Sequence, residues 1–253
     1  METTLFMKVM LLLTAAMLCG GVGAYLGRGL KGLGSAIALF VVAIVGIFVT
    51  LGVAHVSAGG GIVCLAIWTG VVGAMIGPAL DHYTESLGWH TVCGALVGTG
   101  GVMAICGVVG AMSGIDFGFL GMILGISLIG LIIFGIVSMF VRMSREVQMG
   151  QAVIGMVVFA GYFLFDFWRM SKAQNTWEAA IGLTMNLYLD FVNFLLYLLQ
   201  FLEKSKEHSS SMIQPLHDTA LAMLHFGGGD HLLSFASTAT HAVQPALAAF
   251  GLC

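Results

Sequence analysis

Long apolar runs alternate along this chain with short clusters of charge. No Asp, Glu, Lys or Arg occurs between Lys31 and Asp81, which leaves room for two membrane crossings joined by a short turn near His55 to Gly61. The gaps from Lys8 to Arg28, Glu85 to Asp116, Asp116 to Arg142 and Glu146 to Asp166 each hold one apolar run. Each run approaches the ~20 residues that a helix needs to cross a bilayer. A last hydrophobic segment follows from Ala179 to Leu202. The pattern predicts seven spans, Leu5 to Gly27, Gly34 to His55, Gly61 to Leu80, Trp89 to Met112, Phe117 to Phe140, Met149 to Met170 and Ala179 to Leu202. Backbone polar groups in lipid must be satisfied within the segment, so the spans are helices and the fold class is all-α, polytopic, with one transmembrane domain over residues 1–202. The N-terminal run is read as the first span and not as a signal peptide, because Glu2 precedes it and Lys8 is its only leading cation.

Composition agrees with this reading and narrows the function. Of 253 residues, 59% are hydrophobic and 8% charged, against ~45–50% and ~25% in soluble domains. The nine Lys and Arg are scattered, which excludes a nucleic-acid partner. The five cysteines show no pairing or zinc spacing and read as small buried residues. Gly94, Gly98 and Val102 on one face, with Gly107, Gly110 and Gly114 nearby, have the spacing of close helix packing. The eight histidines fall in loops and the tail, with His82 and His90 placed to sense pH at a membrane surface. The glycine pattern around Gly27 to Gly34 follows no strand and is not a nucleotide site.

The bases set an orientation. Arg28, Lys31, Arg142, Arg145, Lys204 and Lys206 fall on one side of a seven-span chain, and Lys8, Arg169 and Lys172 on or near the other. The positive-inside rule then puts the C-terminus in the cytoplasm and the N-terminus outside. From Glu203 onward the composition turns to Ser, His, Thr and Gly, so 203–253 reads as a cytoplasmic tail, partly disordered or interfacial.

Only two acids sit well inside the spans, Asp166 and Asp190. An ionisable group near mid-membrane costs ~2.5–3.5 kcal/mol on insertion scales and marks a functional site by default. The two are 24 residues apart on consecutive helices, with Glu178 midway. Antiparallel helices joined near Glu178 bring them to the same depth. The seventh helix carries Asn186, Asp190, Asn193, Tyr197 and Gln200 on one face, and the sixth offers Gln151, Gly155, Tyr162, Asp166 and Arg169 at comparable steps. Two polar stripes in apolar helices face each other or a shared wet cavity, because lipid leaves their groups unpaired. Two carboxylates held close do not both ionise cheaply, and they titrate as a coupled pair. Ionised, the pair separates the helices or attracts a cation; sharing a proton, it lets them close. Calcium, a hard cation that takes carboxylate and amide oxygens, suits Asp166 and Asp190 with Asn186 and Asn193 as neutral ligands. Arg169, three residues after Asp166, also makes that aspartate a candidate for a static salt bridge.

These residues carry a resemblance. LeuTyrLeuAspPheValAsnPheLeuLeuTyrLeuLeuGlnPheLeu, Leu187 to Leu202, resembles the last transmembrane helix of the Bax-inhibitor family, also called the transmembrane Bax inhibitor motif family. PheLeuPheAspPheTrpArgMet, Phe163 to Met170, resembles that family's sixth helix. GlyValValGlyAlaMetIleGlyProAla, Gly70 to Ala79, is similar to its third, and AspPheGlyPheLeuGly, Asp116 to Gly121, to the start of its fifth. The resemblance implies seven helices with the last central, and a pH-sensitive calcium leak in which the aspartates corresponding to Asp166 and Asp190 form the proton-sensing pair. It also implies ties to suppression of cell death and calcium homeostasis in eukaryotes, and to a membrane protease regulator in bacteria. The host membrane is then a bacterial inner membrane or an intracellular eukaryotic one. Two family features are missing: Gln200 stands where many members carry Arg, and the second span lacks the Glu that pairs with it.

Four other readings are weighed. A non-conducting scaffold that regulates a membrane protease or a cell-death partner needs the same fold and no pore. An aspartyl intramembrane protease would use Asp166 with GlyGlyGlyAsp at Gly227 to Asp230 and GlnProAlaLeu at Gln244 to Leu247, but only 14 residues separate Asp230 from Pro245, too few for a span. The chain therefore reads as non-enzymatic and without a cofactor. A retinal protein is excluded because no Lys lies between Lys172 and Lys204 to form a Schiff base. No symmetry of broken helices between two halves points to a secondary transporter.

Overall fold

The computed structural model describes residues 4–30 and 32–226. Among them there is no strand, and seven helices are long and apolar enough to cross a membrane. They are α1 (Leu5–Gly27), α2 (Leu33–Val56), α3 (Ala58–Leu87), α4 (Trp89–Met112), α5 (Leu120–Phe140), α6 (Arg145–Lys172) and α7 (Trp177–Phe226).

Where the boundaries depart from the sequence reading, short polar residues decide them. The turn expected over His55 to Gly61 shrinks to Ser57, whose hydroxyl accepts the Gly60 N–H at 3.3 Å and starts α3 three residues early. α3 also runs past Leu80 until Gly88, which at φ +89 supplies the left-handed turn into α4. α5 starts at Leu120 and not Phe117, because the Asp116 carboxylate accepts the Gly118 N–H at 2.8 Å and holds a turn there. Ser144 caps α6, and the Thr176 hydroxyl accepts the Ala179 N–H at 3.1 Å at the head of α7.

The chain divides into two units, Met1–Ser205 and Lys206–Cys253. The second is helical from its start to Phe226; the remainder of the tail, with both C-terminal protease-like motifs, lies outside the described residues. In the first unit the last helix is central. Ile181, Leu187, Tyr188 and Leu199 of α7 are fully enclosed, whereas α2 and α5 expose Ile, Val and Phe along most of their length, as lipid-facing helices do. Residues from α1, α2, α3, α4 and α6 all reach α7.

Lipid gives no hydrophobic drive between helices, so close van der Waals approach holds them together. The closest approach is between α1 and α3: a methyl group on Gly23 or Gly27 would run into the backbone of Gly70 or Ala74, and one on Gly73 or Gly77 into that of Gly20 or Ala24. The glycine face expected on α4 is different. Gly94 and Gly98 face open space, while Gly107 meets the Phe167 ring and Gly110 the Leu164 backbone.

Candidate functional site

Asp166 and Asp190 meet, with their carboxyls within hydrogen-bonding reach of each other. α6 ends at Lys172 and α7 begins at Trp177, so the aspartates lie ~9 Å and ~20 Å from their own helix ends at ~1.5 Å per residue. Helical side chains lean toward the N-terminus, which moves Asp166 deeper and Asp190 back toward the turn and narrows this offset.

Both carboxyls are buried. Arg169 Nη1 stands 3.8 Å from Asp166 Oδ1, with the Arg169 side chain 44% exposed and the Asp166 side chain 3% exposed. The Arg169 guanidinium carbon is also 5.9 Å from the centre of the Phe165 ring. The Oδ2 atoms of both aspartates have no donor among the described residues. Ionised carboxylates are acceptors only, so two of them cannot bond to each other. One proton placed between them makes one a donor and satisfies the contact. Tyr162 lies within electrostatic reach of both acids.

The rest of the polar stripe divides. Tyr197 sits over Gly155, stacks on Phe159 with ring centroids 5.9 Å apart and lies near Gln151, so the two stripes do face each other. Asn193 donates its amide Nδ2–H to the Leu189 carbonyl of its own helix at 2.8 Å, which leaves its Oδ1 uncommitted. Asn186 and Gln200 are half-buried on α7, and neither hydrogen-bonds to the acids. No group of three or more His, Cys, Asp or Glu side chains that could hold a metal converges among the described residues. A calcium ion passing the pair would meet two carboxylates and complete its ~6–8 oxygens largely with water.

α2 and α7 meet through neutral Leu51 beside Gly182, ~27 Å along α7 from Gln200 at ~1.5 Å per residue. Nearer the end of α2, His55 Nδ1 and Glu178 Oε1 lie 3.0 Å apart.

Several polar anchors escaped the sequence reading. Lys8 is 8% exposed; its Nζ donates to the Asn175 carbonyl at 3.3 Å and lies 5.0 Å from the centre of the Trp177 ring, tying α1 to the α6–α7 connection. Trp68 Nε1 donates to the Ala43 carbonyl at 2.8 Å, and the Tyr188 hydroxyl to the Thr69 carbonyl at 3.2 Å. His82 Nε2 meets Glu203 Oε1 at 2.9 Å. Lys8 had a visible signal, a lone cation four residues into an apolar run. The indole and phenol bonds had none, since their acceptors are backbone carbonyls.

A seven-helix membrane bundle around a central last helix, with an acid pair enclosed between the last two helices, defines the class. The chain belongs to the family described as Inhibitor of apoptosis-promoting Bax1, whose model matches residues 2–207. It is 30% identical over 138 residues to Bax inhibitor 1 of Schizosaccharomyces pombe, covering 54% of this chain and 50% of that protein. It is similar to a membrane protein of Vibrio cholerae, 28% identical over 148 residues, covering 58% of this chain and 65% of the other. A Golgi anti-apoptotic protein of Vaccinia virus strain Lister is 34% identical over 92 residues, covering 36% of this chain and 38% of that one. The chain thus spans about half the length of the yeast relative and less than two thirds of the other two.

Proposed function

We propose that this multi-pass membrane protein is a pH-sensitive calcium leak gated by Asp166 and Asp190. The observation that carries the reading is the buried approach of two carboxyls on consecutive helices, which a single shared proton satisfies. In the protonated state the shared hydrogen bond draws α6 and α7 together. Loss of that proton leaves two like charges in a site of low dielectric, and their repulsion parts the helices. The same two charges then attract a hydrated calcium ion from the Arg169 end. Flux therefore rises with pH. Arg169, partly solvated and 3.8 Å from Asp166, tempers the charge of the ionised pair. The bases Arg28, Arg142, Arg145, Lys204 and Lys206 support a cytoplasmic position for the opposite end by the positive-inside rule.

The test is calcium flux into liposomes holding the purified chain, followed across the physiological range from about pH 6 to about pH 8. Wild type leaks more as pH rises. Asp190→Asn and Asp166→Asn keep a donor and an acceptor in the pair at every pH and flatten the profile at its closed level. Flux that is absent, or unchanged in both variants, removes the gate. In that event the chain is read as a non-conducting regulator of a membrane protease or cell-death partner, a reading favoured by the name of the viral relative.

A further inference from the structure

A second feature of the bundle is independent of ion passage. A cavity of about 210 Å3 lies between α1, α3, α4 and α7, larger than the ~150 Å3 apolar cavity that holds benzene in an engineered protein. Its inner wall is apolar, formed by Ile76 and Leu80 of α3, Val92 of α4, and Tyr188, Val192 and Leu195 of α7. α1 packs against α3 and α6, and α4 against the same two helices, but α1 and α4 do not meet. The rim residues Gly21 and Tyr25 on α1 and Trp89 and Leu96 on α4 are exposed, so the cavity opens between these helices onto the outer surface of the bundle.

One end of the opening is charged. Arg28 lines it just beyond the end of α1, with its guanidinium carbon 4.9 Å from the centre of the Tyr25 ring. Its Nε stands 3.9 Å from Asp81 Oδ1, longer than a direct hydrogen bond, and its side chain is 46% exposed. A guanidinium held at the mouth of an apolar slot matches a carboxylate, to which it can donate two parallel hydrogen bonds. The lining on α1 runs from Met17 to Arg28, a depth of ~16 Å at ~1.5 Å per residue. That length and volume admit one hydrocarbon chain and not two.

We propose that this cavity binds a fatty acid, its chain between α1 and α4 against α7 and its carboxylate on Arg28. A single-chain anion satisfies the slot and the cation together, whereas a phospholipid would leave a second chain outside.

Trp89 at the rim is the reporter. The full chain is placed in nanodiscs of unbrominated neutral lipid, and its tryptophan fluorescence is titrated with 9,10-dibromostearic acid. Saturable quenching is expected, competed by stearate and not by methyl stearate, and lost in Trp89→Phe. Gly21→Leu fills the slot from a position where an added Cβ meets nothing within 4 Å, and it too abolishes the saturable component without disturbing the fold. Arg28→Gln shifts the titration to concentrations roughly tenfold higher. Quenching that does not saturate, or that is unchanged in both Gly21→Leu and Arg28→Gln, overturns the proposal. So does equal competition by methyl stearate. If only brominated phospholipid built into the nanodisc gives quenching sensitive to Gly21→Leu, the occupant is bilayer lipid and the fatty-acid assignment fails.

Discussion

Gly155→Ala tests the link between packing and gating. A methyl group there would lie 2.5 Å from Tyr197 Cγ and Cδ2, well inside the ~3.5–4.0 Å optimum for carbon atoms. Either α6 and α7 part by about 1 Å, or Tyr197 leaves its stack on Phe159. Overpacking of this kind costs ~1–3 kcal/mol, and the intrinsic helix preference for Ala over Gly offsets ~0.5–1 kcal/mol of it. A net ~1–2 kcal/mol against the tight contact shifts its equilibrium roughly 5- to 30-fold. The aspartates are ~16 Å further along α6 and ~10 Å back along α7, so parting the rods near Gly155 also loosens the shared proton. The expected result is calcium flux at about pH 6 raised several-fold toward the alkaline level. Replacing the ring in Gly155→Ala/Tyr197→Leu restores low flux. Gly98→Ala, on an open face of α4, changes nothing. If Gly155→Ala destabilises the protein but leaves acid flux at the wild-type level, the packing is real and the gate is uncoupled from it. If neither stability nor flux moves, the contact argument itself is wrong.

Other substitutions probe the frame. Gly73→Val drives a side chain into the Gly20 backbone, and the yield of monodisperse detergent-solubilised protein is expected to collapse, because a backbone cannot yield as a flexible side chain does. Trp68→Phe loses the 2.8 Å bond to the Ala43 carbonyl and is expected to cost ~0.5–1.5 kcal/mol in thermal denaturation. Lys8→Met removes the bond to Asn175 and the cation beside the Trp177 ring; it is expected to cost ~1–3 kcal/mol and to change Trp177 emission. Arg169→Gln removes the cation 3.8 Å from Asp166, so the pH at which flux turns on moves alkaline in the same liposome assay.

The number and order of the helices were legible because lipid leaves the backbone no alternative to them, and charge-free runs of the right length then count themselves. The facing stripes on α6 and α7 were legible for a related reason, since a group such as Asp190 must find polar company inside the bundle. Spacing says which residues share a face but not which helix meets it. Gly94 and Gly98 have the same spacing as Gly23 and Gly27, yet only the latter press against a neighbouring backbone. Helix limits failed where one hydroxyl or carboxylate decides them, as at Ser57 and Asp116. The bond from Asn193 Nδ2 to the Leu189 carbonyl became visible only with the helix in place, because its acceptor is backbone.

The contacts within the first unit separate into two kinds, and the separation bears on which part moves. α1 and α3 meet backbone to backbone at successive glycines, with α2 held to α3 by the Trp68 bond. Such contacts cannot slide without breaking, so α1, α2 and α3 form a fixed block. On the other side, α6 meets α7 through rings: Phe159 on Tyr197, and Phe163 on Phe194 with centroids 5.8 Å apart. Aromatic faces tolerate small changes of distance and tilt over a range that glycine backbones do not. α7 is anchored to the fixed block by the Tyr188 hydroxyl on the Thr69 carbonyl, while Asp190, two residues on and pointing toward α6, faces the compliant contact. Under the proposed gate, a charge-driven separation of Asp166 from Asp190 would displace α6 with its partners α4 and α5, pivoting at the single glycine between α3 and α4, and would leave the α1–α3 seam unchanged.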